Sequence, residues 1–276
     1  MRIIPILLLA LCVNAEAGNR FANAYIAKAA QLGTTLTPLQ KGAVSYLSGR
    51  LVSFGWDNFY WLYPFPGNNA TIDNLNLIST GTYTATATGS ITHNAFGVTG
   101  DGSTGFLNTG FNPSTVGVST SSFVMAVYSR GPTPAGGTTR TDIGAQGAAA
   151  DVTSLAWMIA GTIEGGRIAG SPSDVPQQAP TANVLHTGLC SIIVNGSRVA
   201  TYYRDGAALA GTATMGGAFA NQPLYILAND NNGTASNFSL KNLAIAYAKV
   251  GHDATTEARL YTVIEWYEGR LLRGGQ

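Results

Sequence analysis

The chain reads as an all-β protein, a sandwich or jelly roll. Three observations carry that reading. Short runs of alternating apolar and polar residues recur from Thr82 onward, turn residues punctuate them, and no helical period lies between them. The runs are Tyr83–Thr88, Ile91–Val98, Phe106–Thr109, Ser122–Tyr128, Leu155–Thr162, Leu189–Val194 and Val199–Tyr203. Gly100-Asp101-Gly102, Asn195-Gly196 and Arg204-Asp205-Gly206 supply the turns. Asn195-Gly196 between two apolar runs predicts a hairpin in which both residues adopt positive φ. Gly131–Thr139 and Gly170–Thr181, rich in Pro and Gly, read as long loops.

The last fifty residues close the pattern. Leu224, Ile226 and Ala228 alternate as one strand. The Asn, Gly, Ser and Thr residues that follow cannot form a core and read as a surface loop. Leu243, Ile245, Tyr247 and Lys249 make another strand. The period then changes to three or four residues through Leu260, Ile264, Tyr267 and Leu271, one face of an amphipathic helix over Asp253–Leu272. Asp253 is placed to cap it, and Glu257 favours its N-terminal dipole.

Ahead of the β region, residues 1–17 have the form of a secretory leader. Arg2 precedes an apolar run from Ile3 to Val13, and Ala15-Glu16-Ala17 resembles a cleavage site. The run is too short to span a membrane as a helix. Cys12 follows Leu11, where a lipoprotein signal wants a small residue. Uncleaved, this segment would need burial against another protein as an assembly anchor. Residues 18–66 read as a helical appendage and aromatic linker, and residues 67–276 as the β domain. A first helix spans Asn19–Gly33, with Phe21, Tyr25 and Ala29 on one side. A second opens at Thr37-Pro38, with Gln40 at capping-box spacing and Gly55 as its stop. The stretch that follows contains Trp56, Trp61 and four further aromatic residues before Gly67. It is either a sugar-stacking platform or a docking strand that ties the helices to the sandwich; its position between helix and strand favours docking.

Only 11% of the 276 residues are charged, and the net charge is +1. A surface of neutral hydroxyls and amides, without a basic block, argues against a nucleic-acid partner. Cleavage of the leader would leave Cys190 alone in an apolar strand, which excludes an internal disulfide.

The run Gly100-Asp101-Gly102-Ser103-Thr104-Gly105-Phe106-Leu107-Asn108-Thr109-Gly110-Phe111-Asn112-Pro113-Ser114 resembles the early strand-turn-strand of concanavalin A-like (laminin G-like) jelly-roll domains carried by phage virion proteins. The strand, polar loop, strand and closing helix at the C-terminus are also similar to the end of such domains. So is the order of a helix ending in Leu-Gly, a Pro-opened helix, an aromatic segment ending in Tyr-Pro, and Leu75-Asn76-Leu77. The similarity covers roughly residues 20 to 272. It implies a non-enzymatic fibre, spike or capsid decoration on a virion, homo-oligomeric and often trimeric, with other virion proteins and a host-surface glycan as partners. A secreted or periplasmic bacterial lectin-like protein, with the leader removed, is the second reading, and a secreted glycosidase or lyase the third.

Residue chemistry bears on that choice. Glycosidases of this fold place E-x-D-x-E on one strand, and the motif is absent. The five glutamates are Glu16 in the leader, Glu164 before Gly165-Gly166, and Glu257, Glu265 and Glu268 on the last helix. His93, His186 and His252 lack ligand spacing, so no zinc site is assigned. No G-x-S-x-G elbow marks a nucleophile, and the Gly100 region lacks the helix a phosphate loop needs. The resemblance to lectin-like domains raises calcium, for which Asp230, Asn231 and Asn232, with Asp205, offer oxygen ligands; a plain polar turn accounts for the same residues. No cofactor is assigned. Asp230, Asn231, Asn232, Asp205, Trp56 and Trp61 are the residues expected to meet a glycan.

Overall fold

The computed structural model describes residues 20–130, 139–147, 152–155, 165–170 and 187–273. The leader, Glu164, His186, the two long loops except at their margins, and all but the first residue of the strand expected at Leu155–Thr162 lie outside these residues.

Helices α1 (20–31) and α2 (Pro38–Leu51) lead through two 3₁₀ turns, Val52–Phe54 and Trp56–Asn58, into strand β1 (Phe59–Tyr63) and a single turn, α3 (Ala70–Asp73). The strands that follow are β2 (Thr86–Thr88), β3 (Ile91–Asn94), β4 (Gly97–Gly100), β5 (Phe106–Asn108), β6 (Phe123–Ser129), β7 (Ile143–Gln146), β8 (Val152–Leu155) and β9 (Gly166–Gly170). After them come β10 (Gly188–Val194), β11 (Val199–Arg204), β12 (Ala207–Thr214), β13 (Tyr225–Ile226), β14 (Asn229–Asn231), β15 (Thr234–Ser236), β16 (Asn242–Lys249) and the final helix α4 (Ala254–Arg270).

These strands form two sheets, the sandwich that the alternating runs predict. The first runs β12-β11-β10-β6-β16-β4-β3. Its strand β16 pairs with β6 along its length, with β4 through Asn242 and Leu243, and with β1 through Ala246–Lys249. The second runs β15-β14-β7-β13-β5-β2, with β8 and β9 joined through β7.

Two apolar cores result, one on each face of the first sheet. Met125, Val127, Cys190, Ile192 and Ala246 face the second sheet, together with Trp61, Leu107, Phe111 and Ile143. Val124, Ala126, Ile193, Ile245 and Tyr247 face a layer of helices built from Tyr25, Leu47, Leu260, Ile264 and Tyr267. This explains why every residue of β6 and β10 is buried, since a central strand covered on both sides reads as a continuous apolar run. Helices α1 and α2 share one core with α4, and β1 is a strand of the first sheet, so the helical segment is a third layer of the same body.

Local chemistry sets the helix ends as expected. Asp253 accepts a hydrogen bond from the Thr256 amide at 2.7 Å. Thr37 and Gln40 form the reciprocal capping box, and Gln40 Nε2 also donates to the Pro66 and Gly67 carbonyls. Gly55 ends the segment with φ of 72°.

Four strand expectations need revision. Ile91–Val98 is a hairpin, β3–β4, because Asn94 accepts from the Phe96 amide and folds the chain there. The strand through Leu224, Ile226 and Ala228 breaks at Leu227, whose φ is 68°. The polar stretch after it is another hairpin, β14–β15, turning at Asn232 and Gly233, both with positive φ. This is the Asn-Gly signal again, obscured by the absence of apolar flanks. At Asn195-Gly196 the hairpin forms, but the positive φ falls on Arg198 in a four-residue turn, closed by the Arg198 amide on the Asn195 carbonyl at 2.7 Å.

Candidate functional site

The GDGSTG run is a built turn. Asp101 Oδ1 accepts from the amides of Ser103, Thr104 and Gly105 at 2.7–2.9 Å, and Oδ2 accepts from the Thr104 hydroxyl at 2.6 Å. Those bonds hold the carboxyl well below the usual range. With three amides and a hydroxyl of the turn held by one carboxylate, the motif organises the link between β4 and β5.

The two tryptophans do not form a platform. Trp61 is fully buried between the sheets, 5.2 Å from the Tyr63 ring. Trp56 stacks on Phe21 at 4.1 Å within the helical core. Burial against protein leaves neither ring a face for a sugar, and the docking reading of this stretch accounts for both.

Asp230 lies in β14 of the second sheet, and Asp205 in the turn between β11 and β12 of the first. Asp230 is buried in the β14–β15 hairpin, where Oδ1 accepts from the Gly233 amide at 2.7 Å. Burial raises its pKa, opposed by that amide and the Tyr225 hydroxyl. Asn231 and Asn232 are exposed at the tip. Asp205 instead accepts from the Leu189 amide at 2.9 Å at the end of β10. The four expected oxygen donors are therefore not one group and do not fit a shared calcium ion. Among the described residues no cluster of three or more His, Cys, Asp or Glu is placed to hold a metal.

Asp205 does line a cleft. About 200 Å³ in volume, it opens where β6 and β10 meet α4, and Tyr128, Arg130, Tyr261, Glu265 and Arg273 line it with Asp205. Two backbone features bring these groups together. Gly188, at φ of 118°, lets the Asp205 carboxylate close in, because a Cβ there would lie 2.2 Å from Oδ1. Gly206 follows Asp205 in a two-residue turn with both φ positive and nests on α4, where a Cβ would sit 2.8 Å from Ala258 Cα.

The cleft side chains hold one another in place. The Tyr128 hydroxyl donates to Glu265 Oε1 at 2.6 Å, and burial followed by this carboxylate pushes the phenol pKa up. Tyr261 is raised by burial and by the charges of Glu265 and Asp205. Arg130 Nη1 lies 3.0 Å from Glu268 Oε2, and Nη2 donates to the Arg273 carbonyl. Arg273 in turn donates to the Phe65 carbonyl at 3.0 Å. Glu268 sits beneath both guanidiniums; burial outweighs their attraction and raises its carboxyl to about 7. The result is a small pocket with carboxylates, guanidiniums and phenols fixed around it, able to exchange hydrogen bonds with a polyhydroxylated ring. Asp205 was legible in the sequence as a turn residue. Tyr261 and Glu265 are four apart on α4, a spacing that could have marked a shared face, whereas nothing local points Arg130 or Arg273 here.

A second polar network is structural. Ser191 donates to Glu257 Oε1 at 2.5 Å, His252 Nε2 lies 2.7 Å from Glu257 Oε2, and Lys249 Nζ lies 2.9 Å from His252 Nδ1. Ser191 is fully buried and bonds the carboxylate, not the imidazole, so this is no nucleophile with its base. Burial brings Lys249 down to about 8, with Glu257 opposing.

The fold has known counterparts. The binding domain of botulinum neurotoxin DC in complex with rat synaptotagmin II superposes with a TM-score of 0.53 at 12% identity, covering 76% of this chain and 52% of that one. The same binding domain in complex with SialylT gives 0.51 at 11%, covering 76% and 52%. Trypanosoma rangeli sialidase in complex with sialic acid gives 0.51 at 11%, covering 79% and 34%. This chain thus spans about half of the toxin binding domains and a third of the sialidase. At these identities the likeness is one of fold, a β-sandwich. No family model and no curated protein matches the sequence.

Proposed function

We propose that this chain is a non-enzymatic, glycan-binding β-sandwich, displayed on a phage virion as a fibre, spike or capsid decoration. The observation that carries the binding is the Asp205 cleft. Its size suits one sugar ring, and its donors and acceptors are already held by Leu189, Tyr128 and Glu268, so little ordering entropy remains for a ligand to overcome. The virion setting rests on the similarity of residues 100–114, and of the order of elements around them, to phage jelly-roll domains. A homo-oligomer, often a trimer in such particles, follows from the same similarity. Solved β-sandwiches of similar fold in complex with SialylT and sialic acid support the ligand class.

A glycan array with the full chain tests the binding. Tyr261→Phe and Glu265→Gln each weaken the best hit by about tenfold if the cleft holds it. Signals that neither variant changes remove the cleft from the reading. Co-sedimentation with virus particles from the native source tests the setting. The second reading, a secreted bacterial lectin-like protein, is favoured by the export-like leader. An intact mass starting at Gly18 supports that reading, and a mass that includes residues 1–17 supports the virion.

A further inference from the structure

Trp266 lies 60% exposed on α4, in contrast to the buried Trp56 and Trp61. Among the described residues no aromatic ring or guanidinium stacks on it. It forms a stripe with Thr262 and Arg270 at intervals of four residues, and Tyr46 and Arg50 on α2 lie across a groove from that stripe. This groove has a volume of about 360 Å³. A second, of about 460 Å³, lies along Glu265, Trp266, Gly269 and Arg270, so that the indole lines both.

The charges between α2 and α4 are organised. The Arg270 guanidinium lies over the Tyr46 ring at 4.3 Å and that of Arg50 lies over it at 5.4 Å. Stacking on one ring restrains two like charges in the same groove, without an acidic side chain lining it. Glu265 lines the second groove and the Asp205 cleft but not the first groove, and its Oε1 is already bonded by Tyr128. An apolar ring next to paired guanidiniums matches a ligand with a flat C–H face and an oxyanion one ring away.

We propose that the α2–α4 face is a binding platform for acidic oligosaccharides, with Trp266 stacking on a sugar ring and Arg50 and Arg270 taking its carboxylate or sulfate. It rests on the glycan-binding reading for the class of ligand, but uses a surface separate from the Asp205 cleft. Arginine selects the charge, and tryptophan distinguishes a sugar from a bare anion.

The test is calorimetric titration of the full chain with a heparin-derived hexasaccharide, an oligogalacturonate hexamer and neutral maltohexaose, with phosphatidylglycerol vesicles as a further arm. At least one acidic oligosaccharide binds more tightly than maltohexaose, and raising the salt concentration weakens it. Trp266→Ala weakens that binding by about tenfold or more, and Trp266→Tyr restores most of it. Arg50→Gln with Arg270→Gln abolishes the preference over maltohexaose, a readout that stands even if Trp266→Ala fails to fold. The inference is overturned if Trp266→Ala folds and binds as the wild type does, if maltohexaose binds equally well, or if vesicles alone bind. Should Tyr261→Phe weaken binding while the Trp266 and arginine variants do not, the platform is refuted and the cleft stands. Should no glycan bind at all, both fall.

Discussion

Truncating Leu260 or Ile264 to alanine measures how much the helix layer contributes to the fold. Both side chains are buried, at 0% and 1% exposure, in the core that α4 shares with Val124, Ala126, Ile245 and Tyr247. Each change removes three carbons, or about 2.4 kcal/mol at ~0.8 kcal/mol per methylene. The cavity left under a helix pinned at both ends by Asp253 and Arg273 adds to this, giving about 2–5 kcal/mol for each variant. Leu272→Ala is the control, because that side chain is 81% exposed and its loss should stay within about 0.5 kcal/mol. Urea unfolding followed by circular dichroism gives the values, with an unchanged m-value confirming a common unfolded state. Losses below about 0.5 kcal/mol for both core variants, or an equal loss at Leu272, would refute the three-layer account.

Three further outcomes are expected. Glu268 has a folded pKa of about 7, above its unfolded value, so its contribution is fully present below the unfolded pKa and is lost as pH rises through about 7. Relative to Glu268→Gln, the wild type should therefore lose about 3 kcal/mol of stability between about pH 4 and pH 8, and a constant difference contradicts the burial argument. Asp101→Ala should lower the thermal midpoint and speed amide exchange at Ser103, Thr104 and Gly105, with unchanged exchange arguing against the carboxylate as organiser of the turn. Purified protein should release no reducing ends from polysaccharides; turnover abolished by Asp205→Asn or Glu265→Gln would make the cleft an active site.

Period and punctuation in the sequence were enough for the all-β class, the capping of α2 and α4, and the apolar face of α4. These are local properties: a capping box needs residues three apart, and a helix face residues three or four apart. What lay beyond local reading was decided by layers. Phe59, Trp61, Leu62 and Tyr63 form one apolar run, yet a register shift after Phe59 lets Trp61 and Tyr63 face the sandwich while Phe59 and Leu62 face the helices. A run buried on both faces carries no period from which to read this. The hairpin at Asn232-Gly233 was equally hidden, because its strands are polar and gain their place from pairing with β7. The cleft depended most on tertiary structure. Tyr128, Asp205 and the pair Glu265 and Arg273 come from three separate parts of the chain and meet only when α4 closes over the ends of β6 and β10. Exposure, too, is a tertiary quantity. Trp266 belongs to the same helix as Leu260 and Ile264, and only the packing of α4 against α2 and the first sheet decides which of these side chains remains in water.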